Sequence, residues 1–545
     1  MPRCCHPSRR EVLRWAAVVA ATPLLSALGD PERAYAATGP GIPMNLELVT
    51  LTETSAILTW FTGEPSRPDS TGRPAPVASD TEVLIGTSPS ALRTVIHDTR
   101  PTPYHYAEIT GLEPGGTYFY SARSGGIPAT PSPFFEGNPV GTSASLSTPF
   151  VFTTPRPPPG RFLFSIALCN DLHLGETTAG LITSTGGGLP PGFHQVSGEP
   201  PYSQVMAEAL ATEARARGAS LLLAAGDISS EAASLDLAHA KSYLDAFGTY
   251  QDAYLVARGN HDRPHQGVAY ATCSPVAGAP GYHDCFRDAF FPGVPTWFTH
   301  HTGGLRVVGL DTYDKIGNGG DNGILSPAQL AYVRTTLAQD RERPTIVFGH
   351  HPITLEASLT TAEPLLFDLD PAQGRQIESL YQATPGVFLH HSGHTHRNKR
   401  TTSPLAPGVM FQEVAATKEY PGGFHLLRLF SGGYALNFYK FRGDLAREWS
   451  ERTRQEDFGG YPYYTAGTIA DRNVVVARDL SGLTAAGGPG TPAAPAPARP
   501  TPAPTAAPDL PRTGLDPRFP VAGTAALAAG IAAEAWLERS GVRPR

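Results

Sequence analysis

At 545 residues the chain is too long for one ordinary domain and is expected to hold two or three. A hydrophobic share of 41% supports real cores, while 17% charged residues and a formal charge of −7 exclude duplex nucleic acid or an anionic membrane as the main partner. The 54 prolines and 57 glycines call for many turns and at least one low-complexity stretch.

Residues 1–36 read as an export signal. Ser8-Arg9-Arg10-Glu11-Val12-Leu13 precedes an apolar stretch from Trp15 to Leu28, and Ala34-Tyr35-Ala36 is a small-residue cleavage site. The paired arginines resemble a twin-arginine signal, which implies export of an already folded protein; an ordinary secretory signal is the alternative. Either way the mature protein is expected outside the cytoplasm.

Residues 42–154 carry β signals throughout. Ser55-Ala56-Ile57-Leu58-Thr59-Trp60 alternates polar and apolar, with Trp60 as a core anchor, and Thr81–Gly86 and Phe150–Thr154 are further strands. Tyr118 follows the turn Gly111–Gly116, placed like the tyrosine corner of immunoglobulin-type sandwiches. The segment resembles a fibronectin type III domain, or the N-terminal sandwich of purple acid phosphatases, and is expected to serve as a spacer or wall module. The Pro-rich residues 155–160 are expected to be a short rigid linker.

From 161 to 480 strands alternate with helices. Phe162–Leu168, Ser220–Ala225, Tyr254–Ala257, Leu305–Leu310, Thr345–Phe348 and Val387–Leu389 are apolar runs of the kind buried on both faces. Tyr202–Arg217 and Glu231–Phe247 have helical spacing. A third helix starts at Ser326-Pro327-Ala328-Gln329, a capping box with proline at the first helical position.

Five short blocks end these strands: Asp171-Leu172-His173, Gly226-Asp227, Gly259-Asn260-His261-Asp262, Gly349-His350-His351-Pro352 and Gly393-His394-Thr395-His396. Ligands in layered α/β sheets gather at the carboxyl ends of strands, where all five blocks stand. Asp171 and His173, two apart on an extended exit, can join His396 around one ion. Asn260, His350 and His394 can hold a second. Asp227 can bridge, and in such sites the ions lie about 3.5–4 Å apart.

The ordered set resembles the calcineurin-like metallophosphoesterase superfamily (D-x-H, G-D, G-N-H-D/E, H-x-P, G-H-x-H) over Asp171–His396. The resemblance implies an α/β domain with αββα layers and two divalent ions, Mn, Fe, Zn or Co. Asp171, His173, Asp227 and His396 then bind one metal, and Asp227, Asn260, His350 and His394 the other. A bridging water, deprotonated, attacks phosphorus in line. His261 stabilises the phosphoryl oxygens or protonates the leaving alkoxide, and Asp262 orients that imidazole. Purple acid phosphatases have a tyrosine three residues after the bridging aspartate and a glycine at the position of His173. Here Ser230 stands in place of that tyrosine, which excludes the tyrosinate-iron version.

Other polar residues near the blocks read more plainly. His351, His390 and His391 are expected to support the ligands, and Asp311 to form a turn. Cys169 reads as a small buried hydrophobe. Two insertions, Gly175–Pro201 and Arg263–His301, are expected to shape the cleft. Cys273 and Cys285 are expected to close the second as a disulfide. Tyr282, Phe286 and Trp297 within it could stack on a base or pack the insertion.

Residues 484–509 are a stiff Ala/Pro/Thr spacer, and 510–545 hold Leu510-Pro511-Arg512-Thr513-Gly514, an apolar tract from Phe519 to Ala533 and a basic tail. This resembles the L-P-x-T-G sorting signal of Gram-positive surface proteins. The resemblance implies cutting by sortase after Thr513 and attachment to peptidoglycan, with no stable membrane span in the mature form; a simple membrane tail is the alternative. The expected function is a wall-attached phosphoesterase acting on small phosphate mono- or diesters. The alternative is a surface-displayed binding protein on an inactive scaffold. A metallo-β-lactamase type of hydrolase would need an H-x-H-x-D-H block, which the sequence lacks.

Overall fold

The computed structural model describes residues 41–69, 71–131, 149–180, 192–315, 320–361, 368–454, 456 and 461–485. The expected export signal, nearly all of the expected spacer and the expected sorting signal lie outside the described residues. Among the described residues no helix is long and apolar enough to cross a membrane.

The N-terminal region is β-rich and forms two antiparallel sheets. Ile42–Leu51, Ser55–Pro68, Pro74–Pro76 and Tyr104–Thr110 build one; Ser79–Gly86, Arg93–Thr102, Thr117–Ser124, Ile127–Pro128 and Phe150–Thr153 build the other. Both contribute to one core, which includes Leu58, Trp60, Val83, Ala107, Tyr120 and Phe152. Trp60 is 2% exposed, stacks on His105 and donates its indole N–H to Ser124 Oγ at 2.9 Å. The Tyr118 hydroxyl accepts from the Glu113 backbone N–H at 2.8 Å, five residues upstream.

The region that follows is α/β, with two six-stranded sheets. The first runs Tyr254–Ala257, Ala219–Ala225, Phe162–Cys169, Gly423–Phe430, Gly433–Lys440, Asn473–Ala477; its first three strands are parallel and the rest antiparallel. The second runs Phe298–Thr302, Leu305–Gly309, Thr345–Phe348, Val387–Ser392, Met410–Glu413, Lys399–Thr401. Alternate side chains of each strand go to different cores, as a period of two demands. Ile166, Leu168, Leu221, Leu223, Ile346 and Phe348 fill the space between the sheets. Ala167, Leu222 and Ala224 face the helices Tyr202–Ala216 and Ser234–Phe247, while Val347 faces Pro327–Gln339 and Pro371–Gln382. The order is helix, sheet, sheet, helix.

Three local differences from the sequence reading have physical causes. The second helix starts at Ser234 rather than Glu231, because residues 229–232 are bent around Asp262 and Ser229: Ala232 N donates to Ser229 Oγ at 3.0 Å. Only half of the expected capping box forms. Ser326 Oγ accepts from Gln329 N at 3.2 Å, but the Gln329 amide is drawn to the Asp311 backbone, at 2.9 and 2.8 Å. The antiparallel strands from Gly423 onward were not read from the sequence at all.

Residues 155–160 do not hold two units apart. Glu53 makes a two-pronged pair with Arg428, both contacts at 2.7 Å, and Arg472 donates to the carbonyls of Leu48 and Val49 at 2.8 and 3.2 Å. The N-terminal region is docked on the outer strands of the first sheet, where Leu51 N meets Asn473 Oδ1 at 2.9 Å. Trp60→Ala removes the largest buried side chain of the N-terminal core and is expected to cost about 3–5 kcal/mol in denaturant unfolding.

Candidate metal centre

Each of the five blocks leaves the carboxyl end of a parallel strand, so the blocks meet at one rim where the two sheets converge. Backbone hydrogen bonds lace them together. Asp171 N donates to Gly226 O at 3.0 Å, His173 N to Asp227 O at 3.0 Å and Gly393 N to His350 O at 2.9 Å. His350 Nδ1 reaches from the second sheet to the Ala225 carbonyl of the first at 2.8 Å.

The close approach has a backbone cost, visible at particular residues. Eight non-glycine residues among those described have positive φ; five of them are Asp171 (51°), His173 (46°), Asp227 (51°), His394 (69°) and His396 (53°). Such conformations cost of order 1–3 kcal/mol each and persist where surrounding structure over-determines them. The glycines before the ligands explain themselves in the same terms. A Cβ on Gly259 would lie 2.1 Å from Asp227 Oδ1; one on Gly226, 2.7 Å from His350; one on Gly393, 2.7 Å from Asp171 Oδ2.

The seven residues proposed as ligands fall into two groups. Asp171, His173 and His396 present ligand atoms within 4.8 Å of one another, and so do Asp227, His350 and His394. Asn260 Oδ1 joins the second group, 3.0 Å from His350 Nε2. Asp227 stands between the groups. Its Oδ2 is 3.1 Å from His350 Nε2 and 3.5 Å from His173 Nε2, while Oδ1 accepts the His261 backbone N–H at 2.8 Å. One oxygen of the carboxylate therefore faces both groups.

Metal ions fit these residues. Among the described residues Asp171 Oδ1 and His173 Nε2 are buried without a hydrogen bond, 3.7 Å apart, with His396 Nε2 3.2 Å from the same Asp171 oxygen. Burial opposes every charge here. Even so, the His396 and His350 imidazoles hold the Asp171 carboxyl well below its usual range, and His350 and His261 do the same for Asp227. Burial works equally against charging His396, but Asp171 and Glu419 push it up to about 9. The carboxylates favour protons on His173, His350 and His396, though not on His394, and cations can meet the same need for positive charge by displacing those protons. Mixed imidazole, carboxylate and amide oxygen suit Mn, Fe, Zn or Co.

The helper residues divide. His261 stands at the mouth, partly exposed, and its Nδ1 lies 2.7 Å from the Ser230 carbonyl, so the neutral ring carries its proton there and keeps Nε2 as a lone pair. It also falls within 4.8 Å of ligand atoms of His173 and Asp227. Asp262 does not orient His261. Its carboxylate is spent on the backbone N–H groups of Ile228, Ser229 and Gly259, at 3.0, 3.0 and 3.1 Å, and on Ser229 Oγ at 2.9 Å. Four donors within reach of a short, fully buried side chain leave it no oxygen to offer an imidazole, and it braces the Asp227 loop instead.

Surrounding residues serve the loops. His351 is held between Thr312 Oγ1 and the Asp321 carbonyl, both at 2.7 Å; His390 Nδ1 meets Tyr381 Oη at 2.8 Å, and His391 Nε2 the Cys169 carbonyl at 3.2 Å. Asp311 accepts from Tyr313 N at 3.0 Å and lies 3.5 Å from Arg258. Cys169 is buried, and Cys273 and Cys285 form a disulfide. Phe286 is buried in the core shared by the first sheet and its helices and offers no stacking face. Sequence reading missed Glu176, Lys418 and Glu419, which adjoin His173 and His396. Glu176 had a usable signal, three residues after His173; Lys418 and Glu419 had none.

Residues 164–398 match the family model described as calcineurin-like phosphoesterase. Over that stretch the chain is similar to the calcineurin-like phosphoesterases. Comparison with curated protein sequences found no match. Among solved structures, a dimetal phosphatase from Danio rerio is 15% identical, with 51% of this chain and 96% of that chain covered and a TM-score of 0.37. A purple acid phosphatase from yellow lupin (Lupinus luteus) seeds is 14% identical over 84% of this chain and 79% of that one, with a TM-score of 0.35. A human fibronectin type III domain is 18% identical over 24% of this chain and 85% of that chain, TM-score 0.15. At these scores none of the three bears on activity.

Gly259→Ala tests the close packing of the loops. Its Cβ is expected to displace the Asp227 carboxylate, lower the metal content of the purified protein and cut ester hydrolysis about a hundredfold, as a misplacement of roughly 1 Å can.

Proposed function

We propose that the protein is an exported, wall-attached phosphoesterase that hydrolyses phosphate mono- or diesters at a two-metal centre formed by Asp171, His173, Asp227, Asn260, His350, His394 and His396. The observation that carries this reading is Asp227 Oδ2, shared between two ligand groups at 3.1 and 3.5 Å. Two cations bound there would polarise a phosphoryl oxygen and acidify water. The protein's own part is to orient and to handle protons. Asn260 and the four ligand imidazoles fix where the phosphoryl group sits. His261, with Nε2 unprotonated, takes a proton from solvent as an anionic ester raises its proton affinity, and gives it to the leaving oxygen as the phosphorus–oxygen bond breaks. Arg263 and Lys315, which flank Tyr313 at the rim, favour entry of an anionic substrate.

The location belongs to the same proposal. The paired arginines Arg9 and Arg10 support export, and Leu510-Pro511-Arg512-Thr513-Gly514 supports sortase attachment to the peptidoglycan of a Gram-positive wall. The N-terminal sheets, sharing one core, are consistent with an immunoglobulin-like or fibronectin type III module. Esters outside the membrane are then the accessible substrates.

Hydrolysis of p-nitrophenyl phosphate and of its bis-ester, with Mn or Zn and with chelator, tests the chemistry. Activity on at least one ester is expected, abolished by chelation and reduced about a hundredfold or more in Asn260→Ala. Equal rates in mutant and wild type would refute the assignment. For the location, a Thr513→Ala protein expressed in a Gram-positive host is expected to leave the wall fraction; retention there would remove sortase from the account.

A further inference from the structure

His396 turns its second nitrogen onto a carboxylate that is not among the metal ligands, and His173 has such a carboxylate beside its own second nitrogen. His173 Nδ1 lies 2.9 Å from Glu176 Oε2, and His396 Nδ1 lies 2.6 Å from Glu419 Oε1. Lys418 joins the two carboxylates. Its ammonium is 2.8 and 2.7 Å from the Glu176 oxygens and 3.5 Å from Glu419 Oε2. Across the centre, His350 Nδ1 faces a neutral backbone carbonyl instead. One ion position therefore has charged carboxylates beside its imidazoles, where His350 has a neutral carbonyl.

The backbone of the same residues also holds the site. Lys418 N donates to Asp171 O at 3.2 Å and Thr417 N to Asn170 O at 3.1 Å, while Trp449 Nε1 donates to Lys418 O at 2.8 Å. The next residue leaves the site for the N-terminal β region. Tyr420 donates its hydroxyl to Glu47 Oε1 at 2.6 Å, and Glu47 is itself fixed by Lys440 and by Arg454 at 3.2 Å. Glu47 is 2% exposed, so its orientation is set by these partners and not by solvent.

We propose that residues 417–420 are a positioning strap: Glu419, and Glu176 through Lys418, fix the imidazoles of His396 and His173, and the N-terminal region fixes the strap through Glu47. The docked β region is thereby part of the machinery of one metal position. Glu176, Lys418 and Glu419 are positioning residues, because they act through the imidazoles. A carboxylate on the far nitrogen locks the tautomer that turns Nε2 to the ion and raises its basicity; removing such a partner costs about 10–100-fold in metal affinity. The inference rests on the two-metal reading above.

Calorimetric titration of the chelator-stripped full chain with Zn(II), alongside metal analysis and thermal unfolding, separates the two ideas. Wild type taking up no metal would sink the two-metal reading; the strap is tested where wild type binds two ions. Glu419→Ala is expected to weaken one binding step about 10–100-fold and leave the other unchanged, with Glu419→Gln, which keeps an acceptor, intermediate. Glu419→Gln alone decides the point if the alanine protein does not fold. Equal weakening of both steps, or of neither, overturns the strap. Tyr420→Phe should weaken the same step severalfold. Glu53→Gln, which cuts the Arg428 pair on the same interface away from the strap, should move neither. A Tyr420→Phe protein with wild-type affinities, or a Glu53→Gln protein that mimics it, overturns anchoring by the N-terminal region.

Discussion

Two carboxylates with almost no access to water, Asp171 and Asp227, have to be kept charged beside a ring of imidazoles. Taking an ion out of water costs several kcal/mol even after relaxation, and only well-placed opposite charge and hydrogen bonds repay it. Asp227 shows the division of labour: one oxygen is tied to a backbone N–H, the other left for the centre. Asp171 shows the same split, with Oδ2 accepting the His394 N–H at 3.1 Å and Oδ1 turned inward.

That demand reaches the backbone. Five ligand residues adopt left-handed conformations because their side chains must turn back toward a common point as the chain leaves each strand. The strain is tolerable because neighbouring loops donate and accept across one another, so no single block can relax without disturbing the next. Asp262 is the clearest brace, with four donors gathered on one carboxylate. The glycines at 226, 259 and 393 are small for the same reason: another loop occupies the space a side chain would need.

The layered order follows from burial on both faces. Strands such as Phe162–Cys169 split their side chains between an inter-sheet core and a helix-covered core, which is why they read as unbroken apolar runs. The strands with strong runs and a motif at their end, among them Tyr254–Ala257 and Thr345–Phe348, were legible to the residue. Gly423–Phe430 and Gly433–Lys440 were not. Their runs are interrupted by His425, Arg428 and Asn437, which hydrogen-bond to partners outside their own strands: Asn398, Glu53 and the Leu51 carbonyl. No local pattern can announce a partner 27 residues away, still less one 375 or 386 away.

The candidate site divides along the same line. The sequence by itself determined which residue types stand at the strand ends and in what order, because ligand chemistry is local and each motif is complete within a few residues. Tertiary structure decided what the motifs leave open: that one oxygen of Asp227 serves both groups, that Asp262 braces a loop and does not steer an imidazole, and that Lys418 and Glu419 come to lie behind His173 and His396. Those outcomes depend on how two sheets and a docked β region converge, and convergence is a property of packing that no short stretch of chain encodes.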